Sequence, residues 1–218
     1  MEILKVAEVG VEAAALRAAA VLHAGGVVLY PTDTLYGLGA DALSDEAVER
    51  IRAIKGRDDA KPLHCIVSDL DMAEQYADIG PAIRQLAHQL PQGKISFIAP
   101  KHSDIESGIA RDMQTLGFRI PDHQFCRAML AAFDGPITAT SANVAGAEAL
   151  STPVGILGQL GATMALIDLV IDGGEAPLPR PSTVVDLSHP EHPVILREGA
   201  VAAGDVWEVL RGADAAHG

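Results

Sequence analysis

The stretch GGVVLYPTDTLYGLGADAL, residues 25–43, constrains the fold more than any other. Its apolar run VVLY follows Gly25-Gly26, ends at Pro31, and reads as a buried strand. Before it, VEAAALRAAAVLHA (11–24) is Ala-rich, with apolar residues three and four apart. That spacing predicts a helix stopped by the two glycines. After it, Ser44-Asp45-Glu46 opens a second helix to about Lys55, with acids where the helix dipole favours them.

The same alternation continues. LHCIV (63–67), ISFIA (95–99), TLGFRI (115–120) and PITAT (136–140) read as strands. Helices are expected from Asp69, from Gly80-Pro81 to Pro91, and over 123–132, with Pro81 at a first-turn position that needs no N–H. The last third carries short strands at 166–171, 182–187 and 193–197, then a short helix around Trp207 and a frayed tail. No repeat or long linker interrupts the 218 residues, so the expectation is one α/β (α+β) domain over 1–218 with a mixed sheet.

The net charge of −13 is opposite in sign to that of a general nucleic-acid binder. An anion would have to be held by a local basic cluster, which makes the few Lys and Arg informative. The two cysteines, Cys65 and Cys126, form no CxxC pair and read as buried free thiols in a reducing compartment. No signal peptide and no apolar run of membrane-spanning length is apparent, so no membrane partner and a cytoplasmic protein are expected.

Several familiar site patterns are excluded. Gly37-Leu38-Gly39-Ala40-Asp41-Ala42 fits a dinucleotide fingerprint in letters only, because a polar TDT separates it from the strand and the helix cap Ser44 comes five residues past Gly39. There is no GxxxxGK[ST], no GxSxG elbow around Ser141, and no HExxH or Cys/His spacing for zinc. What remains is polar punctuation at strand ends. Lys55, Arg57 and Lys61 in KGRDDAKPL suit phosphate or carboxylate, and Arg119 interrupts an apolar strand. TATSANVAG (138–146) crowds Thr138, Thr140, Ser141 and Asn143 at a strand end, and Ser182, Thr183 and Arg197 repeat the pattern.

Taken in order, GGVVLYPTDTLYGLGADAL, IKGRDDAKPL, GFRIPDH, TSANVAG, STVVDL and ILREGAV resemble the YrdC/Sua5 family of L-threonylcarbamoyladenylate synthases over about residues 10–202. The resemblance implies a YrdC-like twisted mixed β-sheet flanked by helices around a concave basic groove. It implies conversion of L-threonine, bicarbonate (or CO2) and ATP into threonylcarbamoyl-AMP and pyrophosphate. The product would pass to a tRNA threonylcarbamoyltransferase complex for modification of adenosine 37. Mg²⁺ would arrive bound through ATP. The chain lacks the length for the extra C-terminal domain of larger members and so resembles the single-domain form.

Carried over by motif, the catalytic cations would be Lys55, Arg57 and Lys61. Threonine would meet Thr34, Arg119, Ser141 and Ser182; ATP would meet Arg57, Lys61, Thr115, Asn143, Ser151 and Arg197. The glycines after PTDT would let backbone approach ligand. Two departures stand out. The family's PLIVH has Ile66 at its His position, with His64 two residues earlier, and its PGPLT reads Gln92-Gly93-Lys94-Ile95-Ser96. They keep open a paralogue that binds RNA or a nucleotide without synthesis. The resemblance also extends to domains of larger carbamoyltransferases, which leaves an enzyme using carbamoyl phosphate as a second alternative, and weak RNA binding stays open as a partner interaction.

Overall fold

The computed structural model of the protein describes residues 1–56, 62–177 and 180–215. The elements begin with β1 (Glu2–Lys5), α1 (Val6–Val9), α2 (Val11–His23), β2 (Val28–Tyr30), β3 (Gly37–Gly39) and α3 (Asp45–Lys55). They continue with β4 (His64–Ile66), α4 (Leu70–Glu74), α5 (Pro81–Gln89), β5 (Ile95–Pro100), β6 (Thr115–Arg119) and α6 (Gln124–Phe133). The remainder is β7 (Ile137–Thr138), β8 (Thr140–Ser141), α7 (Pro153–Leu160), β9 (Leu169–Asp172), β10 (Thr183–Asp186), β11 (Val194–Arg197) and α8 (Ala203–Ala215).

Local signals set the helix ends. The Ser44 hydroxyl caps α3 by accepting from the Ala47 N–H, and Gly56 closes it in the left-handed conformation at φ +65°. Pro81 begins α5 as its position in the sequence requires. Ala14, Ala15, Ala18, Ala19 and Leu22 form the buried stripe of α2, and their small size lets α6 pack closely through Phe125, Met129 and Phe133.

The strands form two mixed sheets rather than the single sheet expected. One has the order β1-β9-β2-β3-β8 and the other β11-β10-β5-β6-β4-β7. The segment read as one strand, PITAT, is divided between them: Ile137–Thr138 pairs with β4 and Thr140–Ser141 with β3. One extended segment therefore joins both sheets. The GLG segment, to which the sequence analysis assigned no element, is β3, antiparallel to β2. Strand β2 is buried on both faces, with Leu29 in the larger core and Val28 and Tyr30 in the core beneath α2 and α6, which accounts for its unbroken apolar run.

The glycines of β3 have a packing role that the sequence reading did not assign. A Cβ on Gly37 would lie 2.9 Å from Tyr30 Cζ, and one on Gly39 2.8 Å from Tyr30 Cε1. They clear space for the Tyr30 ring, whose hydroxyl donates to the Thr138 carbonyl at 3.2 Å across to the second sheet.

Candidate functional site

The loop after β2 folds on its own hydroxyls. Thr32 Oγ1 accepts from the Thr34 N–H and donates to the Leu35 carbonyl at 2.7 Å, which turns Thr34 inward. Arg119, the last residue of β6, reaches this loop. Its Nη1 is shared among Asp33 Oδ1 (3.1 Å), Thr34 Oγ1 (3.2 Å) and the Gly93 carbonyl (2.9 Å). Both side chains of the Arg119–Asp33 pair are buried, 9% and 6% exposed, which a charge tolerates only when paired. Among the described residues its Nη2 and Nε make no hydrogen bond, and Arg119 lines the cavity.

The segment that departs from PGPLT completes this wall. Gly93 adopts φ +79°, and a Cβ there would sit 2.2 Å from Asp33 Oδ2. Lys94 Nζ donates to the Asp33 carbonyl at 2.7 Å and to its Oδ2 at 3.2 Å. Ser96 Oγ lies 2.8 Å from Ser182 Oγ. Ile66, the other departure, is fully buried and registered against Arg119, inside the apolar cluster with Tyr30 and Phe125.

The opposite wall is built on Lys55. It is the last residue of α3, where the expected helix ends, but this expected catalytic cation is only 2% exposed. Its Nζ donates to the Ser141 carbonyl (2.6 Å) and to Asn143 Oδ1 (2.9 Å). Asn143 Oδ1 also accepts from Ser141 Oγ at 2.5 Å, and Nδ2 donates to the Ala147 carbonyl at 2.6 Å. Lys55 therefore fastens the SAN turn at the C-terminal end of a helix, where the dipole favours a cation.

The third wall carries Ser182, Arg197 and His64. The Arg197 guanidinium donates from Nε and Nη2 to the Ser182 carbonyl at 3.1 and 2.9 Å. Its pKa is lowered by burial and, second, by the charge of Arg119. A second arginine close enough to Arg119 to feel its charge marks a place for an anion. His64 lies over Gly117, and burial, aided by Arg197, pushes its imidazole down to about 4. It is neutral near pH 7 and offers a hydrogen-bonding edge without charge.

These walls enclose a cavity of about 310 Å³. Thr34, Arg119, Ser141, Ser182 and Arg197 all line it, so five of the residues expected from the sequence converge. Its described lining includes two arginines and no carboxylate, a local reversal of the chain's net charge of −13. Thr115, at the far end of β6, and Ser151, whose hydroxyl donates to Glu175 Oε1 at 2.9 Å, are not part of that lining. Asn143 stands behind Ser141, and Arg57 and Lys61 lie outside the described residues, although Pro62 and Leu63 line the cavity. Ser96, Thr140 and His64 line it too, and Asp33 and Lys94 support it; the sequence reading placed Thr140 in the strand-end cluster and Lys94, Ser96 and His64 at the two departures, without assigning any of the five a contact. Asp33 carried a usable signal, an acid between two threonines, but its partners are distant in sequence.

The chain is similar to known proteins. The Sua5/YciO/YrdC family model, described as telomere recombination, matches residues 20–199. The threonylcarbamoyl-AMP synthase of Pyrococcus abyssi is 31% identical over 88% of this chain and 56% of its own length. The chain thus spans little more than half of that relative. The mouse threonylcarbamoyl-AMP synthase is 37% identical over 85% of this chain and 67% of its own length. The crystal structure of P. abyssi Sua5 complexed with L-threonine superposes with a TM-score of 0.83 at 31% identity, over 91% of this chain and 57% of that one.

Proposed function

The chain belongs to the Sua5/YciO/YrdC family, and on that premise we propose that it is a threonylcarbamoyl-AMP synthase, a nucleotidyltransferase serving tRNA modification. The observation that carries this reading is the convergence of Arg119 with the hydroxyls of Thr34, Ser141 and Ser182 around one cavity that also holds Arg197. A small amino acid with a hydroxyl needs a cation for its carboxylate and short polar groups for the rest. The P. abyssi relative named as crystallised with L-threonine supports threonine as that amino acid.

In this reading Arg119 holds the carboxylate through the N–H groups that Asp33, Thr34 and Gly93 leave over. The threonine amine takes up CO2 with loss of a proton, or bicarbonate with loss of water, to give a carbamate. A carbamate oxygen attacks the α-phosphorus of ATP, the P–O bond to the β-phosphate breaks, and pyrophosphate leaves. No side-chain nucleophile is required, so alignment and charge stabilisation carry the rate. Arg197 faces the phosphates, Lys55 acts by holding Ser141 and Asn143 in place, and Arg57 and Lys61 act on ATP from the adjoining segment. Mg²⁺ enters with ATP, whose phosphates hold it. The product passes to a tRNA threonylcarbamoyltransferase complex in the cytoplasm, and RNA contact is weak at most, given the net charge.

The test is direct. The protein is incubated with ATP, Mg²⁺, bicarbonate and L-threonine, and threonylcarbamoyl-AMP and pyrophosphate are followed by mass spectrometry, with threonine-free and serine controls. Product that depends on threonine and is lost in Arg57→Ala is expected. Absence of product from protein that still binds ATP would move the reading to a nucleotide-binding paralogue.

A further inference from the structure

The pairing of Lys94 with Asp33 has a consequence for how Arg119 meets a carboxylate. Arg119 and Asp33 are both buried and bonded to each other. Alone they form a neutral pair, and a substrate carboxylate brought against a neutral pair meets the repulsion of Asp33 as well as the attraction of Arg119. Lys94 changes that balance. It sits on the other oxygen of the same carboxylate, Asp33 Oδ2 at 3.2 Å, and on the Asp33 carbonyl at 2.7 Å. Its side chain is one-third exposed, so the ammonium is partly hydrated while its partner is not. The three groups together carry one net positive charge.

The backbone is shaped for this contact. Gly93 has no room for a side chain between Asp33 and Asp122, and its carbonyl accepts from Arg119. The glycine therefore brings the next residue, Lys94, onto the Asp33 loop. Lys94 occupies the place where the sequence departs from PGPLT, so the departure replaces an apolar position with a charge.

We propose that Lys94 is a positioning residue for carboxylate recognition: it neutralises Asp33, so that the full charge of Arg119 is available to the substrate's carboxylate. This rests on the reading of the cavity as a threonine site. Lys94 itself is not a catalytic residue, because it acts through Asp33 and does not line the cavity.

Calorimetric titration of the full chain with L-threonine, and separately with ATP, tests the assignment. Loss of one unit charge at the second carboxylate oxygen is expected to weaken threonine binding about tenfold in Lys94→Met. ATP affinity should stay within about twofold, and Lys94→Arg, which keeps the charge, should bind threonine within about threefold of wild type. Lys94→Gln, which keeps a hydrogen-bonding end without the charge, repeats the comparison if the Met variant fails to fold. Unchanged threonine affinity in the uncharged variants would overturn the proposal. So would equal losses for threonine and ATP, or failure of the Arg variant to restore binding, since each would mean a wall that depends on shape. A wild-type protein that binds ATP but no threonine would overturn the threonine reading, and this assignment with it.

Discussion

The imidazole of His64 lies face-on over the Cα of Gly117, its direct neighbour on the parallel strand. A Cβ on Gly117 would stand 2.3 Å from His64 Cδ2 and nearly equally far, 2.7 and 2.8 Å, from the ring atoms on either side, Nε2 and Cγ. An in-plane approach to Cδ2 would leave both neighbours markedly farther away than this, so the Cβ direction meets the face of the ring and not its edge. The ring therefore lies over the Gly117 backbone, and the residue lines the cavity.

Gly117→Ala should lower stability by about 1–3 kcal/mol, because a methyl group cannot enter without moving the ring. His64→Ala in the same chain should recover most of that loss. Urea denaturation of the two single variants and the double variant measures the coupling. Additive losses would show that the ring is not what Gly117 makes room for.

The same histidine makes stability depend on pH. Folded, it titrates near 4; the ordinary value is 6.5. As pH falls from about 6.5 to 4, the unfolded chain takes up a proton that the folded chain refuses, so stability is lost across that window and levels off below it. The full shift corresponds to roughly 3 kcal/mol, and to less because the ring is only partly enclosed. Burial lowers His123 in the same direction. Denaturation midpoints of wild type and His64→Gln between pH 7 and 4 should diverge, with the flatter slope in the variant.

Lys55→Met should cost about 1–3 kcal/mol, because it strips a buried charged donor from the Ser141 carbonyl and from Asn143 Oδ1. The SAN turn then keeps its backbone bonds and the side-chain bonds of Ser141 to Asn143 and of Asn143 to Ala147, but loses the buried ammonium that joins them to α3. Activity should fall further than stability alone explains, since Ser141 lines the cavity. Activity assayed at a temperature where circular dichroism shows the variant folded separates the two effects.

Both thiols should be inert in the native protein. Cys65 and Cys126 are buried, and burial pushes the Cys65 thiol up to about 12 and raises Cys126 as well. Their sulfurs face the Gly117 and Pro31 carbonyls. Titration with a disulfide reagent should find no thiol at pH 8 and both of the two cysteines in denaturant.

Element order and helix ends were legible in the sequence because their causes are local. A cap such as Ser44 acts over three residues, and Gly56 and Pro81 act through their own backbone angles. The motif residues Thr34, Arg119, Ser141, Ser182 and Arg197 were legible as a set through the resemblance, and the fold gathers them in one cavity. Strand β3 was missed because two glycines in three residues carry no strand signal; they are there for the Tyr30 ring.

By itself the sequence determined most of the helices and strands between residues 11 and 140 and which polar residues stand at their ends; β1, β3 and α7 were not among them. Only the tertiary structure decided that 137–141 joins two sheets, that Lys55 is buried behind the SAN turn, and that Asp33 is held between Arg119 and Lys94. These contacts link residues 61 to 104 positions apart. Pairings at such separations are chosen by sheet register and burial of the whole chain, and leave no pattern in the neighbouring residues.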